Sequence, residues 1–142
     1  MKNLLPQEAW ALLQSAARQG ADGQEDPDEA PLFVDVRMEI EYLYVGHPLG
    51  VVHIAWYEYP EMQAHPQAFV EQVLREGGQP ARPVVLLCRS GKRTVDAGLA
   101  LEAAGFEAVV NVLHGFEGEL DDHFQRGRLN GWRHDGLPWE QL

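Results

Sequence analysis

Residues 83–87, Pro-Val-Val-Leu-Leu, are apolar at every position and stop at Cys88. A strand with one wet face alternates apolar and polar residues. A run without alternation suits a strand covered on both faces, as in a parallel sheet between helices. A polar turn follows, Arg89-Ser90-Gly91-Lys92-Arg93. Residues 94–104 then place Val95, Leu99 and Ala103 at helical spacing, and Gly105 stops them. Residues 108–113, Ala-Val-Val-Asn-Val-Leu, form a second buried run. Strand, helix and strand in this order commit the chain to an α/β fold with a mostly parallel sheet.

The remaining segments fit that frame. Residues 3–20 read as a helix, with Trp10, Leu12, Leu13, Ala16 and Ala17 recurring at helical spacing. Residues 20–30 are acidic and rich in turn formers, so they read as an exposed loop. Strands are expected at 31–36 and 51–56, a short helix at 39–45 and a longer one at 66–76. The expected architecture is a central sheet of four or five strands with helices on both faces. The tail is less regular: a helix is expected at 116–125, and Trp132, Leu137 and Trp139 should pack back on the body. Leaving them wet would cost ~25 cal/mol per Å² of apolar surface.

The chain has 142 residues, enough for one domain, with a core at about 1–120 and an extension at about 121–142. Its 22 acidic residues against 11 basic ones leave a net charge of -11, which disfavours nucleic acid and anionic membranes as partners. No run approaches the ~20 apolar residues of a membrane helix. The first ten residues lack the apolar run and small-residue cleavage site of a signal peptide, so a cytoplasmic location is expected. A lone cysteine forms no internal disulfide and no multi-thiolate zinc site. None of the six histidines makes a His-x-x-x-His pair, and no metal or cofactor is expected.

In open α/β sheets, ligands sit outside the carboxyl ends of the strands. Those ends fall at 35–37, 55–56, 88–89 and 113–115. Cys88 tips the most apolar strand. The loop behind it can turn backbone N–H groups around the sulfur, and the helix N-terminus adds about half a positive charge. Arg89, Lys92 and Arg93 add three cations. All of these favour a thiolate and a small oxyanion beside it. Gly91 lets the backbone approach without a Cβ. A buried cysteine can also be only a small hydrophobe. The order of strand, cationic glycine loop and helix favours the chemical role.

Cys88-Arg89-Ser90-Gly91-Lys92-Arg93-Thr94 resembles the active-site loop of rhodanese-type sulfurtransferases, Cys-x-x-Gly-x-Arg-Ser/Thr. Residues 32–56 resemble the family's upstream block, with Asp-Val-Arg, an acidic helix, Gly-His and His-Ile. Residues 106–120 resemble the strand and glycine turn after the active-site helix. The resemblance covers nearly the whole chain. It requires a first strand within residues 1–5, short or missing.

The resemblance implies that Cys88 takes a sulfane sulfur as a persulfide and passes it on, a two-step covalent mechanism. The donor would be thiosulfate or a persulfide, and the acceptor cyanide or a thiol, with a protein thiol as a further partner. The amides of residues 89–93, Ser90 and Gly91 among them, would hold the persulfide, and Thr94 would hydrogen-bond its sulfur. Arg89 and Lys92 would hold the donor's oxyanion. Asp35 and Arg37 would shape the rim, paired with each other or with loop groups. Trp56 and Phe116 are candidates for the pocket wall or the core. His47 and His53 read as turn or core residues.

Phosphatases and arsenate reductases of the same fold place five residues between the cysteine and the arginine. Here there are four, 89–92, and the smaller ring suits sulfur better than a tetrahedral oxyanion. Mercaptopyruvate enzymes tend to carry the less charged Cys-Gly-x-Gly. The basic loop here looks more like a thiosulfate-type site, where charge-assisted bonds stabilise a sulfonate-like group. The alternative from another class is a rhodanese-fold binding, sensing or sulfur-carrier module with little turnover.

Overall fold

The computed structural model describes residues 1–21 and 30–142. The expected loop at 20–30 lies largely outside the described residues. The chain opens with strand β1 (Lys2–Leu4), not with a helix. Helix α1 (Pro6–Ala21) begins one residue after Leu5, with proline at its first position. Proline lacks the N–H that a first turn leaves unpaired, so the helix starts there and frees residues 2–4 for the sheet. The strand expected within residues 1–5 is present and three residues long.

Strand β2 (Leu32–Asp35) follows, then a single π-helical turn (Glu41–Val45) where a short helix was expected. Strands β3 (His47–Pro48) and β4 (Val52–His53) are two residues each. Beyond β4 the chain stays extended, since the Ile54 and Trp56 amides donate to the Asp35 and Val36 carbonyls. Helix α2 (Pro66–Arg75), strand β5 (Val84–Leu87), helix α3 (Arg93–Ala103) and strand β6 (Val109–Val112) complete the core. The five-stranded sheet has the order β1-β6-β5-β2-β4, and every pairing is parallel.

Helices cover both faces. Val84, Leu86 and Cys88 face α2 and α3, in a core with Phe69, Val73, Ala97 and Leu101. Val85 and Leu87 point the other way, to Ala9 on α1 and to Phe116 and Trp132. That split is the period-two geometry of a strand. On the α1 face much of the cover comes from residues after 113. Trp132 is fully buried, 5.4 Å from the Phe33 ring and edge-on to Trp10. Strand β7 (Trp139–Glu140) pairs antiparallel with β3, so the end of the chain is laced to residues 47–48.

The helix expected at 116–125 does not form. The Asp121 carboxylate accepts the amides of His123 and Gln125, offering the backbone an alternative to helical bonds. Gly118 and Phe124 have positive φ, which a right-handed helix does not allow. Among the described residues, no helix is long and apolar enough to cross a membrane.

Candidate active site

All five parallel strands end on one rim, and β5 delivers Cys88 to its centre. The loop 89–92 then climbs over the sulfur into α3. Gly91 has φ 94°, a conformation open to glycine and strained for other residues. That conformation turns its amide onto Cys88 Sγ at 3.1 Å. Thr94, on the first turn of α3, places Oγ1 3.6 Å from the same sulfur. The helix N-terminus adds its partial positive charge there.

Thr94 itself is fixed from behind. Its hydroxyl donates to Asn111 Oδ1 at 2.5 Å, and Asn111 Nδ2 donates to Asn3 Oδ1 at 3.1 Å. The chain Cys88–Thr94–Asn111–Asn3 thus runs under the sheet edge from β5 to β1. Asn111 is buried and had no expected role. Its trace in the sequence is one polar residue interrupting the run 108–113, since a buried amide needs partners.

The loop rests on the turn after β6. Phe116 N donates to the Cys88 carbonyl, and Glu117 N and Gly118 N both donate to the Arg89 carbonyl. The contact requires glycine at 115, because a Cβ there would collide with the Cys88 carbonyl oxygen. These bonds occupy the Cys88 and Arg89 carbonyls from the far side of the loop, while the Gly91 amide bonds the sulfur.

Arg93 opens α3 and is clamped by Glu41, Nη1 to Oε1 at 2.7 Å and Nη2 to Oε2 at 2.9 Å. Burial alone raises the Glu41 carboxyl, but the bonds and charge of Arg93 outweigh it and hold Glu41 below the ordinary glutamate value. Burial likewise opposes the Arg93 charge, and Glu41 more than offsets it, so Arg93 is held well above its ordinary value. Nothing local in the sequence pointed to Glu41, 52 residues away. Arg89, Arg93, Met38 and Tyr57 line a cleft of about 350 Å³ beside the loop. Ser90 and Lys92 line a second, of about 330 Å³.

Cys88 is 1% exposed, beneath its loop rather than open at the rim. Asp35 and Arg37 are fully buried and paired with each other, with Arg37 Nη2 2.6 Å from Asp35 Oδ2 and also from the Gly46 carbonyl. The guanidinium lies 4.6 Å over the Phe116 ring. These two therefore stand behind the rim and do not face solvent. Trp56 packs edge-on to Phe69 and lines a cleft on the α2 side, away from residues 89–93. Phe116 is fully buried. His47 stacks on Tyr42, and His53 bonds the Arg37 carbonyl. Among the described residues, no group of three His, Cys, Asp or Glu is placed to hold a metal ion.

The sequence matches the rhodanese-like domain over residues 11–120. Among solved structures, Rv0390 from M. tuberculosis is 33% identical, with a TM-score of 0.78, covering 100% of this chain and 98% of that one. The polysulfide-sulfur transferase homodimer from Wolinella succinogenes is 23% identical with a TM-score of 0.62, over 100% of this chain and 80% of that one. A thiosulfate sulfurtransferase from Pseudomonas aeruginosa is 18% identical with a TM-score of 0.61, over 99% of this chain but 20% of that one. The last two likenesses are of fold. Uncharacterized proteins of Rickettsia conorii and Rickettsia montanensis are each 27% identical over 112 residues, 75% of this chain and 80% of theirs.

Proposed function

The chain belongs to the rhodanese-like domain family, and from that premise we propose that it is a sulfurtransferase carrying a sulfane sulfur as a persulfide on Cys88. The observation that supports this most is the Gly91 amide at 3.1 Å from Cys88 Sγ, on a loop that opens a helix. A negatively charged sulfur at that point faces an N–H donor and a helix N-terminus. The thiolate attacks the outer sulfur of thiosulfate. The Sγ–S bond forms, the S–S bond to the sulfonate breaks, and its electron pair leaves with sulfite. Cyanide or a thiolate then attacks the outer sulfur of the persulfide and regenerates the Cys88 thiolate, a ping-pong sequence.

On this reading the amides of 89–93 hold the persulfide, Thr94 hydrogen-bonds its sulfur by turning its one hydroxyl proton from Asn111 toward it, and Arg89 and Lys92 hold the donor's oxyanion. Arg93 braces the loop through Glu41. Asp35 and Arg37 position the rim from behind. Residues 1–142 act as one rhodanese unit, with 121–142 as its extension, in the cytoplasm. No resident cofactor enters any step.

The burial of Cys88, at 1% exposure, favours one second reading, a binding or carrier module with little turnover. One experiment separates the two. Intact mass after thiosulfate treatment should rise by one sulfur atom in the wild type and stay unchanged in Cys88→Ser. Thiocyanate production from cyanide should fall at least ~10²-fold in that variant. A Cys88 that loads but does not turn over with cyanide supports the binding or carrier module, and a Cys88→Ser protein that still turns over sinks the proposal.

A further inference from the structure

We propose that Arg126, in the extension beyond residue 120, is a donor-binding residue that selects sulfur donors carrying an anionic group distal to the transferred sulfur. The proposal rests on the sulfurtransferase reading above. The two clefts beside residues 89–93 share one wall residue, Arg126. In the first it stands with Arg89 and Arg93, and in the second with Lys92. Three clefts elsewhere on the surface carry glutamates and no Lys or Arg. The chain as a whole is at -11, so a local concentration of cations is what would draw an anion to it.

The cations differ in what they have left to offer. Arg93 is committed to Glu41 through both ends of its fork. Arg126 gives one N–H to the Gly118 carbonyl, at 2.7 Å, and a guanidinium has five. Among the described residues Arg126 forms no ion pair, while Glu117 and Glu119 in the two clefts sit opposite Arg133 and His114 at 3.9 Å each. Arg126 and Arg89 are therefore the pair able to fork onto an oxyanion. A sulfonate or similar group fits them.

The segment that carries Arg126 is built to hold it still. Gly118 and Gly131 close its neck, where a Cβ on Gly118 would collide with the Asn130 carbonyl. Glu119 N donates to Asn130 Oδ1, and Asn130 Nδ2 donates back to Glu119 Oε2. Asp121 gathers the amides of His123 and Gln125 and donates its own amide to the Gln125 carbonyl. A guanidinium presented from a pre-ordered loop costs little further ordering when the donor binds.

The test compares two donors on the full chain. Thiosulfate carries a distal sulfonate, and the persulfide of 2-mercaptoethanol carries a neutral hydroxyl. Sulfur loading of Cys88 is followed by intact mass, with initial rates over a donor range. Arg126→Gln should raise KM for thiosulfate about tenfold with kcat little changed. It should leave loading from the mercaptoethanol persulfide, whose distal group is uncharged, within about twofold, and the thiosulfate effect should shrink as salt rises. Arg126→Lys should recover most of the loss. An unchanged thiosulfate KM in Arg126→Gln, or equal losses with both donors, overturns the role of Arg126 while Cys88 loading in the wild type stands. Failure of the wild type to load from either donor overturns the sulfurtransferase reading and this inference with it.

Discussion

Two arginine–carboxylate pairs flank the rim, and they are built oppositely. Asp35 and Arg37 are two residues apart, fully buried, and joined by three side-chain bonds of 2.6 to 3.1 Å. Glu41 and Arg93 are 52 residues apart and each about one-eighth exposed at the side chain. The first pair joins the end of β2 to Gly46 and Phe116, and among the described residues the buried Arg37 Nη1 has no partner. The second ties the start of α3 to the π-helical turn and lines a cleft. The same chemistry therefore serves as an internal strut in one place and as a wall of the candidate site in the other. Burial and sequence separation decide which.

Breaking the inner pair should have the largest effect. Asp35→Ala leaves a buried guanidinium uncompensated, and chemical denaturation should show a loss of about 3–5 kcal/mol. A loss below about 1 kcal/mol, the scale of a surface pair, would remove the strut interpretation. Glu41→Gln keeps the shape of the outer pair but loses its charge. Stability should fall by about 1.5–3 kcal/mol, and loading of Cys88 should fall more than its folding does. If loading is unchanged in folded Glu41→Gln, the brace does not reach the loop.

The outer pair also has a pH signature. The Glu41 carboxyl is held below its ordinary value of 4.5, so folding favours its ionised form. That contribution is whole above the ordinary value and is lost as pH falls through the lower folded value. The stability gap between wild type and Glu41→Gln should therefore be flat above about pH 5 and close below it. A gap that widens on acidification contradicts the assignment. The smallest effect is expected from Arg93→Lys, which keeps the charge and loses one of two parallel bonds, about 1 kcal/mol by thermal melting.

The order of elements around Cys88 was legible because it is local. An apolar run, a cationic glycine loop and a helix follow one another within about twenty residues, and each announces itself by composition and period. The lone cysteine at the strand tip and Gly91 in the turn came from the same reading. The helix read at 116–125 failed because apolar spacing alone did not register the competing bonds of Asp121 or the positive φ at Gly118. The helix read from residue 3 failed because β1 is held by pairing with β6, a hundred residues away.

By itself, the sequence determined the parallel α/β architecture, the position of the lone thiol and the positive charge beside it, since all of these follow from neighbours along the chain. Tertiary structure alone decided that Arg93 meets Glu41, that Asn111 backs Thr94, and that Arg126 joins Arg89 and Lys92 at the clefts. The physical reason is that a side chain's partners are set by where distant segments cross. Pattern along the chain reports a residue's preference for burial or exposure, and it carries no record of which remote group will satisfy its charge or hydrogen bonds.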